Sequence, residues 1–372
     1  MTTPRRKRQR GIALLLVMWV FMTLGVIALD FARYMRDDAM SAVNLADETR
    51  GYYVALAGLN RAIYDRERKV EGQAERRGIG QRQGTPGESV EEDTEELVPP
   101  DGEWHESDFA GGRWRARMSD QESRIPLNMI KPSNPVHVAL LRRVITNLVR
   151  GGNRTSGVDR REQASIDVIV DSILDWRDRD GKKDEARPNG AESAFYLKRR
   201  IPYRAKNWFF DSPEELLLIR GVTSALFYGG DGRPGMRDVF SPYVMPNDEH
   251  SEPRINLQYT TSAVLQALLG VDAEEAEQML ATRQEGVSLE FAVKAKLTTE
   301  APELLNYVGD YEPRVVMIEA QGDMTSQRNR SRVAALVRLE DRDGGGLSVL
   351  RWLDRAPWDA PLPGMPSEDE PA

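Results

Sequence analysis

The sequence predicts an α+β fold. A long amino-terminal helix with a transmembrane half comes first, then an antiparallel sheet interrupted by a large α-helical insertion. Three observations lead there. Ile12 to Leu29 is a run of 18 residues without a charge. Apolar and polar residues alternate, as in half-buried strands, near Trp114 and in three segments at the carboxyl end. Between those segments the apolar residues recur on a helical period instead.

The chain has 372 residues, a formal charge of −8, no cysteine and 40% hydrophobic residues. That length suffices for roughly two to three domains with a sizeable core. The absence of cysteine excludes disulfide frameworks, thiolate metal sites and thiol nucleophiles. His105, His137 and His250 lie far apart without an HExxH pattern, which argues against a zinc hydrolase. Arg5, Arg6, Lys7, Arg8 and Arg10 crowd the start of the chain. Taking those five away leaves 46 basic against 59 acidic residues, a balance of −13. A body of that charge repels nucleic-acid phosphates, so no nucleic-acid partner is expected.

The apolar run Ile12–Leu29 makes roughly 27 Å of helix, enough to span a hydrocarbon core. The basic cluster before it is expected on the cytoplasmic side, with the rest of the chain facing outward. Three readings compete. A cleaved secretory signal has a shorter apolar region and a small-x-small site, for which Gly25–Ala28 is a poor match. A simple anchor is the second. The third starts from Gly11: a basic leader ending in glycine, directly before the apolar run, resembles the class III signal of type IV pilins and pseudopilins. That resemblance implies cutting between Gly11 and Ile12 by a prepilin peptidase, and N-methylation of Ile12. The residues past the apolar run strengthen it. No proline occurs between Arg5 and Thr85, and Leu45, Tyr52, Leu56, Leu59 and Ile63 continue on a helical spacing. One helix from Ile12 to about residue 66 is roughly 80 Å long. A helix half in the bilayer and half packed on a globular head is how pilins are built. Leu16 stands where most pilins carry a glutamate, which is thought to pair with the terminal amine of the subunit above. A carboxylate in a bilayer is costly without a partner, so its absence points to a subunit at the tip.

Residues 67–103 read as an acidic linker, with glycines and then Glu88, Glu91, Glu92, Asp93, Glu95 and Glu96. Trp114, Ala116 and Met118 alternate with Arg113, Arg115 and Arg117 as a strand. Segments 314–320, 331–339 and 347–353 read as three consecutive antiparallel strands separated by turns such as 341–346. The economical organisation is one sheet from 104–130 and 310–355, an insertion over 131–309 and a Pro-rich tail over 356–372.

The insertion holds a weak repeat. Segment 212–222 (SPEELLLIRGV) aligns with 261–271 (TSAVLQALLGV), each a capped helix, a Gly-Val turn and another helix. Ser212 with Glu215 and Asp272 with Glu275 are capping boxes. RIPLN at 124–128 echoes RINLQ at 254–258. This arrangement resembles SAM-like or helix-hairpin-helix modules. DNA-binding versions use a Gly-hydrophobic-Gly turn, whereas here Thr223 and Asp272 replace the second glycine.

The strongest local signature is LDWRDRDG (174–181), followed by GAE (190–192), AKN (205–207) and FDSPEELL (210–217). With the Gly11 leader and the RIPLN segment, this ordered series resembles the type II secretion minor pseudopilin family called general secretion pathway protein K. The resemblance implies a pilin-like sheet carrying a large helical insertion, and a place at the pseudopilus tip with minor pseudopilins I and J. It also implies contact with the major pseudopilin, residence in the bacterial inner membrane with a periplasmic head, and bound calcium. Asp175, Asp178, Asp180, Asp184 and Glu192 supply hard oxygen ligands suited to calcium. The loop is not an EF-hand, since Trp176 and Arg187 occupy its first and twelfth positions. These acids also have Arg177, Arg179, Lys182 and Lys183 as neighbours, the alternative of a salt-bridged surface loop. No catalytic constellation is visible: the glycine loop 229–235 lacks a P-loop lysine, and no nucleophile–histidine set occurs. Two other readings share most of the chain. One is a permanently anchored periplasmic interaction module, a receptor for DNA or protein. The other is the tip subunit of a type IV pilus-like system.

Overall fold

A computed structural model describes residues 10–79, 97–151, 160–178, 185–230, 232–246, 251–284, 288–324, 330–340 and 346–354. The acidic run 88–96, the turn 341–345 and the tail 356–372 lie outside the described residues.

Helix α1 runs from Arg10 to Ile79 as 70 residues, roughly 105 Å. It continues past residue 66, where the sequence reading ends it. Residues 67–79, expected in the linker, are helical. They are rich in Glu, Arg, Lys, Gln and Ala, which are polar but also strong helix formers, so polarity there does not signal a loop. Two strands follow, β1 (His105–Phe109) and β2 (Gly112–Asp120), joined by Ala110 and Gly111 at φ 51° and 77°. Positive φ at both central residues matches a type I′ hairpin.

The insertion begins with β3 (Ile125–Pro126), α2 (Pro135–Arg150), α3 (Arg160–Arg177) and α4 (Ser193–Tyr196). After a 3-10 turn at Pro213–Leu218 come α5 (Ser224–Tyr228), α6 (Met236–Val239), β4 (Phe240–Ser241) and β5 (Ile255–Asn256). It closes with α7 (Ser262–Leu269), α8 (Ala273–Gln284), α9 (Leu289–Glu300) and β6 (Val308–Gly309). Asn134 caps α2, its side chain accepting from Val136 N at 2.9 Å, and Pro135 takes the first helical position. The apolar faces of α2 (Leu141, Val144, Ile145), α3 (Ile166, Ile169, Val170) and α7 (Leu265, Leu268) bury one another in a single core.

The two echoing segments have parallel roles. Ile125 and Pro126 pair with Phe240 and Ser241, and Ile255 and Asn256 pair with Val308 and Gly309, both in parallel register. Ile125, Leu127 and Ile130 therefore belong to the helical core, so residues 121–130, placed with the sheet by sequence, belong to the insertion. In the repeat, Asp272 accepts from Glu275 N at 2.8 Å as its capping box requires. The first copy starts with the 3-10 turn rather than an α-helix.

The chain then returns as β7 (Val315–Met324), β8 (Arg330–Glu340) and β9 (Gly346–Leu353). The five long strands form one antiparallel sheet in the order β1-β2-β7-β8-β9. Trp114, Ala116 and Met118 lie opposite Gly322, Ala320 and Ile318. With Val333, Ala335 and Val337 of β8 they face α1 and bury Val54, Ala55, Leu59 and Ala62. Of the predicted stripe on α1, Leu59 is buried, Tyr52, Leu56 and Ile63 are half-buried, and Leu45 is exposed. Small residues take the inner line because α1 sits close on β7: a methyl at Gly322 would overlap the Gly51 carbonyl oxygen.

The chain leaves the sheet at Asp120 and re-enters it at Val315, which neighbours Asp120's partner Val316. This junction is polar and partly buried. Asn256 donates to Asp120 Oδ2 at 2.8 Å and Arg314 N donates to Glu122 Oε2 at 2.6 Å. Arg66 of α1, fully buried, donates to Pro313 O at 2.7 Å and to Glu312 at 2.5 Å.

Candidate functional site

Two regions carry the sequence-predicted sites: the start of α1 and the end of α3 with the loop after it. Gly11 and Ile12 both lie in the first turns of α1. The large apolar side chains from Leu14 to Leu29 are all exposed, and none of that stretch is buried against the rest of the chain. Among the described residues this is the one helix long and apolar enough to cross a membrane. Among the described residues no other part of the chain buries this segment, whereas residues 51–66 pack on the sheet.

Asp175, in the last turn of α3, is 1% exposed. Its carboxylate accepts from Arg187 N at 3.1 Å and faces Arg187 Nε at 3.4 Å. Burial pushes its pKa up to about 6, against the stabilising Arg187 N–H and charge. A methyl at Gly190 would overlap Asp175 Oδ2, so the glycine of the GAE motif lets the loop close over the carboxylate. Glu192 is buried at the start of α4, and Asp178 is half-buried just past α3. Asp180 and Asp184 lie outside the described residues. Among the described residues, no cluster of three or more carboxylate or histidine groups is assembled for a metal. Asp175 at the end of α3 and Glu192 beyond the loop are buried carboxylates, oxygen donors of the type a hard cation takes.

Sequence reasoning missed Asp171, one turn before Asp175. Its Oδ2 accepts from Asn189 N at 3.2 Å and from Asn189 Nδ2 at 3.1 Å, so two carboxylates at i and i+4 tie the 187–190 segment to α3. The spacing on a helix was the available signal. Arg177, named as a neighbour of these acids, instead donates to Asn128 O at 2.7 Å and lies over the Phe209 ring. Burial lowers its pKa to about 10.

The two glycine turns of the repeat are engaged by packing. Gly221 and Gly270 have φ of 88° and 69°, and a side chain on either would meet Ile169 or Asn147. The last carbonyls of α7 accept from α2: Asn147 donates to Ala267 O at 2.8 Å and Arg143 to Leu268 O at 2.6 Å. The glycines thus serve close approach of helices within the domain.

Residues 125–228 match the family model described as Type II secretion system (T2SS), protein K. Over these residues the chain is similar to a type II secretion protein K domain. It is the family that the leader and the ordered LDWRDRDG, GAE, AKN and FDSPEELL motifs resemble, and all four motifs fall inside the match. The protein K domain begins at β3, where the helical core begins, and ends with α5. No curated protein matches the chain. Among solved structures, the chain is similar to one in the GspK-GspI-GspJ complex from the enterotoxigenic Escherichia coli Type 2 Secretion System. The likeness has 13% identity, covers 68% of this chain and 84% of that one, and has a TM-score of 0.47.

Proposed function

We propose that this chain is a minor pseudopilin that caps the tip of the type II secretion pseudopilus and helps start its assembly. One observation carries the reading: a protein K domain is inserted at the end of a sheet packed on α1, far along that helix from its bare apolar segment. The apolar half of α1 holds the subunit in the inner membrane with the head in the periplasm. After cutting at Gly11–Ile12 by a prepilin peptidase, the same surface packs against helices of neighbouring subunits, the major pseudopilin among them. The insertion widens the head beyond the sheet, so a subunit adding above would meet it. Leu16, uncharged, supports a place with nothing above it. The work is assembly rather than catalysis.

Minor pseudopilins I and J are the partners this reading calls for. Co-expressed with them, the full chain should co-purify as a discrete ternary complex on size exclusion. Elution of this chain alone, with I and J stable and present, would contradict the partnership.

The reading includes a structural calcium ion held in the loop after α3, with Asp175, Asp178, Asp180, Asp184 and Glu192 as the candidate donors. The ion would supply positive charge where burial now disfavours ionised Asp175. Calcium should raise the melting temperature of the full chain and chelator should lower it. Asp178→Asn with Asp180→Asn should abolish the difference. An unchanged melting temperature with and without chelator would remove the ion from the proposal.

A further inference from the structure

Beyond the tip-subunit reading, and independent of it, the loop between α4 and the 3-10 turn at Pro213 forms a surface of unusual chemistry. Ile201 is 74% exposed and Leu197 46% exposed, and Leu218, whose carbonyl accepts from Tyr203, is also exposed. Lys198, Arg200 and Arg204 stand among these apolar side chains, all exposed. None of the three makes an ion pair or side-chain hydrogen bond among the described residues. From Phe195 to Phe210 there are five basic residues and no acidic one, in a chain whose net charge is −8.

The loop is held firmly from below. Tyr203 stacks on buried Tyr196 with ring centroids 5.1 Å apart and donates its hydroxyl to Leu218 O at 2.6 Å. Trp176 of α3 packs edge-on against both rings. A scattered exposed aliphatic residue is ordinary, but here Leu197 and Ile201 share one loop with Lys198, Arg200 and Arg204, while Lys206 of the same stretch pairs with Asp211 and Glu215. Rigidity lowers the ordering cost of binding.

We infer that this loop docks an extended segment of another polypeptide chain, one carrying both carboxylates and large apolar side chains. Guanidinium groups pair with carboxylates in a bidentate fork, while Ile201 and Leu197 bury the apolar side chains. Charge complementarity selects that occupant over others. A nucleic acid would also meet the acidic body around the loop. A bilayer that held the apolar segment would lie far from the point where the insertion is tied on, since the helix from Leu29 to Arg66 is roughly 55 Å long.

The test uses the full chain in detergent micelles and a fluorescein-labelled synthetic peptide alternating glutamate with leucine and phenylalanine. Saturable binding is expected, weakened by added salt and absent for the same peptide with lysine in place of glutamate. Arg200→Glu with Arg204→Glu should weaken binding at least tenfold, and Ile201→Ser should weaken it severalfold. Both variants should keep the wild-type melting temperature, since the changed side chains are exposed. No binding of the peptide, or equal binding by both variants and the wild type, would overturn the inference. Binding that emerges only after deletion of residues 88–96 would overturn it too, because the chain's own acidic run would then be the occupant.

Discussion

At Asn128 one fully buried amide closes three segments of the insertion together. Its nitrogen donates to Phe210 O at 2.8 Å and Pro242 O at 2.5 Å, and its oxygen accepts from Phe210 N at 2.8 Å. Asp120 plays the matching part at the junction, accepting from Glu122 N at 2.7 Å and from Asn256. The two differ in charge, and that has a consequence for stability. Burial pushes the Asp120 carboxyl up to about 7, against these hydrogen bonds and the attraction of Arg66. An unfolded aspartate titrates near ~4. Between those values the native state therefore binds more protons than the unfolded state, and stability falls as pH rises through that window. This contribution favours resistance to urea at pH 5 over pH 8, opposed by buried His137, whose lowered pKa makes stability rise with pH below about 6.5. Asp120→Asn should reduce this slope without erasing it, because Asp175, pushed up to about 6, acts in the same direction. A slope unchanged in Asp120→Asn would show that the junction carboxyl does not titrate in this range.

At the scale of elements, the contact between α1 and β7 decides whether the head has a stalk. A methyl at Gly322 would overlap the Gly51 carbonyl oxygen and lie 2.5 Å from Ala55 N, both backbone atoms that cannot turn aside. Gly322→Val should therefore destabilise the sheet by roughly 1–3 kcal/mol or more, read as a lowered midpoint in urea unfolding. Gly25→Ala, where nothing lies within 4 Å, should leave that midpoint unchanged. A wild-type midpoint for Gly322→Val would mean that α1 does not bear on β7 this closely. The same contact explains what the sequence could and could not convey. Period-two alternation marked Trp114, Ala116 and Met118, because one face of β2 is buried and the other is only half-buried, whereas Arg332 to Val337 of β8 are buried on both faces. The inner line of α1 was hidden because it is built from Gly51, Ala55, Gly58 and Ala62, which carry almost no hydrophobic signal. In the loop after α3, the conspicuous acids and the Gly190 motif were legible. The pairing of Asp175 with Arg187 and of Asp171 with Asn189 was not, since it depends on how residues 187–190 fold back. The short β3–β4 and β5–β6 pairings showed only as an echo between RIPLN and RINLQ. Their partners are remote in sequence, and two-residue strands have no period.

For the whole molecule, one polar seam joins two cores. The sheet and the second half of α1 form the smaller core, and the protein K domain lies within the larger one. The insertion leaves and returns through adjacent strands, so it can be large without disturbing the sheet that carries it. Together with the bare first half of α1, this suits a subunit that passes from a bilayer into a filament and ends it. The pseudopilin reading stands or falls at the amino terminus. The decisive measurement is intact mass with amino-terminal sequencing of the full chain, expressed with and without a prepilin peptidase. A chain that begins at N-methylated Ile12 only when the peptidase is present, and stays uncut in Gly11→Val, is the expected result. A chain that keeps its basic leader beside an active peptidase would make α1 a permanent anchor and contradict the proposal.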